Sequence, residues 1–363
     1  MTAKKVQEYL ILAALPGLML CVVPVEGMDF RLSWHLAFLW LGCFLFTAWL
    51  SSWWLRAMCL VSLVAAASVP PVITAYLTLG TIMAGLAVIE KIGDTDEARV
   101  LIWIQIAACA GLLWMGLQQH AGILPEGRFI GPFNPDAAGV FLALCLPAFF
   151  SRKTWPFIGI ILAAIILTKT STGFAAAIAA CAVAAFVAPL SRKSKVAALA
   201  AIVILAGLFV WKVDPIAKTI GCDRWIAWSH GTRAAIHAPA GYGLGSWETV
   251  FPLMASGDAR LGQYFRQAHN EYIQYTFEAG WPAVVLMATF IISAALIVVT
   301  GAISPPIAGG MAALAVSCAG WHTFHVAPLA LIGCAWLGLF LKNAQKGAYN
   351  EQGYIIHAAM DKN

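Results

Sequence analysis

The sequence predicts an all-α, polytopic membrane protein of about 12 transmembrane helices, with one large outer segment between late spans. Three observations predict it. First, 61% of the 363 residues are hydrophobic and only 11% are charged, against roughly a quarter in a soluble domain. Mean hydropathy is +0.82, and a water-soluble globule cannot bury that much apolar surface. Second, apolar runs recur at about the 20-residue length that crosses a hydrocarbon core. Third, Lys and Arg gather in the connections of one side, the pattern of a cytoplasmic face. This composition excludes soluble enzymes, coiled coils, disordered chains and nucleic-acid binders. The 15 Trp and 19 Phe suit two membrane–water interfaces, where amphipathic rings gather.

The runs fall at 7–24, 33–50, 55–69, 71–90, 99–117, 135–150, 155–169, 173–190, 196–211, 281–300, 305–320 and 326–342. Pro16, Pro70, Pro71, Pro282 and Pro328 sit at or near their ends or kink them. The connections Ser151–Thr154 and Ser191–Lys195 hold five Lys or Arg among nine residues. They mark the cytoplasmic side, which alternation then also assigns to both termini. The chain divides into 1–211 with helices 1–9, 212–280 as an outer loop region, 281–342 with helices 10–12, and 343–363 as a cytoplasmic tail. The run after Lys4 and Lys5 reads as an uncleaved first helix, since no small-residue cleavage site follows it. Of nine cysteines, eight lie inside apolar runs and Cys222 stands apart, with no metal-type spacing.

The polar segment Lys212–Gly280 carries the chemistry. Ala268-His269-Asn270-Glu271 begins a helical pattern that leads into a span. A His at that position can take a proton from a sugar hydroxyl near neutral pH; the structural alternative is a capping or packing His. Asp223-Arg224-Trp225-Ile226-Ala227-Trp228 offers an outward Arg, whose planar fork suits phosphate oxygens. Arg233, Arg260 and Arg266 are rivals for that role. In Pro239-Ala240-Gly241-Tyr242-Gly243-Leu244-Gly245, the amides of Gly243 and Gly245 can approach phosphate, or the stretch is a tight turn. Arg128 and Asn134 flank Gly131-Pro132 before a span, and Lys169 sits in the hairpin Leu167–Gly173. Cations at the outer interface are costly, which makes a site the default reading, although both can snorkel to lipid phosphates. Glu278 caps or is solvated, or orients His269 from nine residues on. Trp321-His322-Thr323-Phe324-His325 has two His at i,i+3 but no further ligands at metal spacing, and reads as structural.

In order and content these motifs resemble the O-antigen ligase/polymerase superfamily of Wzy/WaaL-type membrane glycan transferases. The resemblance runs from Arg128-x-x-Gly131-x-Phe133-Asn134, through Leu167–Gly173 and Arg224–Trp228, to Gly241–Trp247 and His269-Asn270 with Gly280 downstream. It implies a GT-C-like helical membrane fold with the segment 212–280 as a periplasmic catalytic loop region. It implies glycan transfer from an undecaprenyl-diphosphate-linked oligosaccharide; since the sequence shows no divalent-metal carboxylate cluster and such a donor brings no nucleotide to chelate, no metal or other cofactor is expected. The acceptor is a hydroxyl of a glycan, lipid A-core or another molecule. Partners are the inner-membrane bilayer and other glycan-assembly membrane proteins. By position, His269 is similar to the family's catalytic His and Arg224 to its periplasmic Arg. Two departures stand out. Ser171-Thr172-Gly173 replaces the family's Ser-Arg-Gly, leaving Lys169 or Arg128 to substitute. Gly280 is followed by Trp281-Pro282-Ala283 where ligases tend to carry Gly-Thr-Gly, which tilts the expectation from lipid A-core ligase towards polymerase.

The residues and the resemblance together give the expected roles: His269 as general base and Arg224 as the leaving-group cation, with Arg128, Asn134, Lys169, Gly243, Gly245, Asn270 and Glu278 around the substrate. The rivals are a flippase or transporter for the same lipid-linked glycan, a ligase onto a protein acceptor, and haem handling. A flippase needs polar groups along a mid-membrane path, whereas these cluster at the outer ends of spans.

Overall fold

The computed structural model describes residues 92, 95–120, 135–151, 153–213, 223–243, 245–256, 267–300 and 303–360. The expected spans at 7–24, 33–50, 55–69 and 71–90, and the candidate residues Arg128 and Asn134, lie outside them. The regular elements among the described residues are all helices, with no strand. α1 is Glu97–His120, α2 Pro135–Cys145 (continued by a 3-10 turn, Leu146–Phe149), α3 Pro156–Thr168, α4 Ser171–Val187 and α5 Arg192–Val213. The outer segment contributes α6 Asp223–His237 and the short α7 Ser246–Thr249 and α8 Phe251–Ala255. α9 is Glu271–Val299 and α10 is Pro305–Gly320; the 3-10 turn Thr323–His325 leads to α11, Ala327–Met360. Each of the eight later apolar runs lies on a helix, but two bounds differ from expectation. α9 starts ten residues before the run at 281, because Asn270 supplies its cap. α11 continues unbroken past residue 342.

α9 is long and apolar enough to cross a membrane, and α3, α4, α10, residues 136–149 and residues 328–344 are shorter apolar helices. Trp281, Val285, Leu286, Ile292, Leu296 and Val299 of α9 are all more than half exposed. Trp155, Ile160, Leu167, Val196, Val203 and Ile204 do the same on α3 and α5 and just before α3. An outward apolar surface of that extent suits hydrocarbon and is a liability in water.

The core centres on α2, whose Val140, Phe141, Leu142, Ala143 and Leu144 are wholly buried. α2 packs on α3, α4, α10 and α11, and α4 lies along α10. Small residues make these approaches possible: a Cβ on Gly173 of α4 would come 2.5 Å from the Gly139 carbonyl carbon of α2. The Trp336 indole N–H donates to the Leu144 carbonyl at 2.8 Å, tying α11 to α2. At the other end from the outer segment, Ser304 donates to Glu97 at 3.0 Å and Lys342 donates to the Thr95 carbonyl.

A second, smaller core holds the outer segment against α9. It joins Ala227 and Ala234 of α6 to Trp247, Phe251, Ala255, Ala268 and Phe277. Trp247 and Phe251 stack at 4.2 Å, Tyr242 stacks on Phe277 at 4.6 Å, and Trp247 meets Phe277 edge-on at 5.2 Å. Aromatic pairs in these arrangements add about 0.5–1.5 kcal/mol each beyond their burial. This core fixes α6, which carries Arg224, to α9, which follows His269.

Candidate active site

Proline creates the first feature of the site. Pro282 has no N–H to give the Glu278 carbonyl one helical turn back, and α9 kinks at Gly280, φ 68° and ψ −154°. The glycine-rich loop fills the break. Tyr242 N–H donates to the Phe277 carbonyl at 3.0 Å, Gly243 N–H to the Glu278 carbonyl at 2.9 Å, and Trp281 N–H to the Pro239 carbonyl at 2.8 Å. Contact is backbone to backbone: a Cβ on Gly241 would lie 2.3 Å from the Glu278 carbonyl oxygen, and one on Gly280 2.1 Å from that of Pro239. The Gly245 amide donates to the Glu278 carboxylate at 2.9 Å. Gly243 and Gly245 therefore direct their amides at Glu278, and Glu278 itself is 1% exposed.

The turn bearing His269 is held on both sides. Asn270 caps α9, its side-chain oxygen accepting from the Ile273 amide at 3.1 Å, one of the orphan donors of a helix start. Ala268 N–H donates to Gln274 at 3.0 Å, and the Trp228 indole N–H donates to the Ala268 carbonyl at 2.6 Å. Between these anchors His269 adopts φ 53°, a left-handed conformation that costs a non-glycine residue about 1–3 kcal/mol and persists only where the surroundings enforce it. Gln274 also donates to Gln267 at 2.6 Å and to Glu278 at 3.0 Å, so the turn and the glycine loop share one buried network.

Trp321 is the meeting point. The guanidinium carbon of Arg224 lies 5.7 Å from its ring centre, and the His269 ring meets it edge-on at 4.9 Å. His322 stacks on the same indole at 4.4 Å and approaches the His269 ring at 4.6 Å. Arg224 is steadied from the start of α2 by Asp136, 3.9 Å away. Arg224 and Trp228 are four apart on α6, hence on one face; one reaches Trp321 and the other the His269 turn. Behind them, His325 Nδ1 lies 3.2 Å from both Glu271 oxygens, and the Phe324 amide donates to Glu271 at 2.6 Å.

The electrostatics follow from burial and these charges. His269 is pushed down to about 3, first by burial and then by the Arg224 cation. His322 is held well below its ordinary value by burial, with His269, His325 and Arg224 pushing the same way. Both imidazoles are neutral at physiological pH. For His325, burial lowers the basicity, but the charge and hydrogen bond of Glu271, with the charge of Glu278, together more than offset it and raise it.

The expected residues are thus distributed unevenly. Arg224 and His269 converge. Asn270, Gly243, Gly245 and Glu278 lie beneath them in the frame. Lys169 is an exposed, left-handed cap of α3 at φ 54°. Its hairpin reaches the same end through Thr172, which donates to the Gly320 carbonyl at 3.2 Å, next to Trp321. Arg233 is exposed, while Arg260 and Arg266 lie outside the described residues. Trp321, His322 and Asp136 are the additions. The Trp-His pair was visible as an outer-loop motif, but nothing in its spacing shows that it faces a residue 53 positions earlier. Among the described residues, no group of three or more His, Cys, Asp or Glu is placed to hold a metal ion.

No curated protein matches the chain. The model of one family does match, over residues 137–288, and its description is O-antigen ligase. That stretch includes Lys169, Arg224, Gly243, Gly245, His269, Asn270 and Glu278; Trp321 and His322 lie beyond it. Over residues 137–288 the chain is therefore similar to the Wzy_C family, described as O-antigen ligase.

Proposed function

We propose that this protein is an inner-membrane glycosyltransferase. It moves a glycan from an undecaprenyl-diphosphate-linked donor to an acceptor sugar hydroxyl at the periplasmic face, as a polymerase rather than a lipid A-core ligase. The observation that carries the reading is the convergence of Arg224 and His269 on Trp321. A group that binds diphosphate and a group that accepts a proton then share one wall.

In the step proposed, the acceptor oxygen attacks the anomeric carbon and its proton passes to a ring nitrogen of His269. The bond from that carbon to the diphosphate oxygen breaks, and its electron pair leaves on the diphosphate. Arg224 meets that developing charge with a preorganised cation, which is why no metal is required. Attack opposite the leaving group inverts the anomeric centre. Burial and Arg224 keep His269 in its neutral, proton-accepting form. A bound diphosphate offsets the Arg224 charge, so donor binding itself strengthens the base. Glu278, Gly243, Gly245 and Asn270 orient the wall, and Lys169 is a second cation at its edge. Twelve spans with both termini cytoplasmic put this wall on the periplasmic side.

The test is incubation of the purified protein with lipid-linked repeat units, with and without lipid A-core. A ladder of products formed without core supports the polymerase. Product formed only with core makes the protein a ligase. No transfer under either condition, with the donor bound, refutes glycan transfer.

A further inference from the structure

Trp321 and His322 carry polar side-chain nitrogens to which the step above gives no role. His322 Nδ1 and Trp321 Nε1 are buried and have no hydrogen-bond partner among the described residues. Buried polar atoms are nearly always paired, so two orphans on adjacent residues indicate a missing partner. His322 as a residue is nevertheless only partly buried. Its ring touches the His269 ring at 4.6 Å, whereas Arg224 approaches the shared indole separately at 5.7 Å.

Location and charge together choose the ligand. A general base must stand at the acceptor hydroxyl, so a side chain packed on the base's ring stands at the acceptor too. A neutral imidazole has one donor and one acceptor, the pair that a sugar hydroxyl complements. An anionic diphosphate is better served by the guanidinium of Arg224. The neutral state is secured by burial and by His269, His325 and Arg224, all of which disfavour a proton on His322. Asp136 lies against Arg224, and Glu271 is engaged by His325.

We propose that His322 is the acceptor-binding residue of this site, hydrogen-bonding a hydroxyl of the acceptor saccharide beside the one that His269 deprotonates. This rests on the glycan-transfer reading and adds the residue that selects the acceptor.

The test compares His322→Phe, His322→Gln and His322→Ala in the purified full-length chain, with turnover measured against acceptor and donor concentrations separately. Phe keeps a ring against Trp321 and His269 and removes the nitrogens; Gln keeps hydrogen bonding and loses the ring. The expected result is a rise in acceptor KM on the order of 10-fold for Phe and Ala, smaller for Gln, with donor KM near the wild-type value. Wild-type kinetics in His322→Phe, or a rise confined to donor KM, overturns the assignment. A wild-type protein that binds lipid-linked donor but transfers it to nothing overturns the glycan-transfer reading instead, and this one with it.

Discussion

The amide of Gly243 donates to the main-chain carbonyl of Glu278 at 2.9 Å, taking the place of the N–H that Pro282 lacks. One proline thus opens a helix, and one glycine-rich loop closes the opening. Since α6 runs directly into that loop and His269 lies directly before that helix, the splice sets Arg224 against His269. The Trp281-Pro282 pair has this as its structural consequence.

Gly280 tests the splice. Its backbone conformation is open essentially to glycine alone, at about 1–3 kcal/mol for other residues, and a Cβ would strike the Pro239 carbonyl at 2.1 Å. Gly280→Ala is expected to lower the melting temperature in detergent and to abolish most transfer. A variant with wild-type melting and wild-type turnover would show that the loop is not docked in this way.

His269→Ala is expected to leave the protein inserted and able to bind donor, and to slow transfer by roughly 10²–10⁴-fold. His269→Gln should fail nearly as badly, since an amide can hold a hydroxyl but cannot take its proton. Robust transfer by well-folded His269→Gln removes His269 from the chemistry.

The pH profile separates the free site from the complex. From its residue type alone, His269 would titrate near the unperturbed value of about 6.5. Burial and Arg224 instead lower it to about 3. Its base form is therefore present from neutrality down to about 3, and kcat/KM should show no inflection near 6.5 from this group. In kcat, the bound diphosphate opposes Arg224, so any inflection should lie higher than in kcat/KM. An inflection of kcat/KM near 6.5 that disappears in His269→Ala would contradict the burial of this ring.

Arg224→Lys keeps the charge and loses the planar fork. Transfer should fall by on the order of 10²-fold, close to the loss of one oxyanion donor. The shared contact with Trp321 should also weaken, so donor KM should rise. Near-normal turnover would identify Arg224 as a point charge only.

His325 gives stability of the opposite pH sign to His269. Against burial, its folded-state basicity is raised by Glu271 together with Glu278, so its contribution is complete below the unfolded value of about 6.5 and is lost as pH rises through the folded value. His269 has a lowered value, so its contribution is complete above about 6.5 and is lost as pH falls towards about 3. Glu271→Gln should lower the melting temperature most at or below pH of about 6.5 and least in alkali. A pH-independent loss would assign Glu271's role to its bond from the Phe324 amide.

The sequence by itself determined the helical class, the long apolar segments, the polar outer stretch and the two residues that converge, Arg224 and His269. Those follow from local composition, 3.6-residue spacing and motif order, which need no knowledge of distant contacts. It also held the raw pattern of Pro239–Gly245 and Trp281-Pro282, but not that the two fit together. The glycine amides looked equally suited to phosphate, and only the tertiary structure directs them to Glu278. Likewise Trp321 and His322 read as an ordinary loop pair because α10 must fold back along α4 before residue 321 can reach residue 269. The basicity of His269 was the least legible property of all. It depends on how much water surrounds one ring and on how near one guanidinium lies, and both are set by packing between helices far apart in the chain.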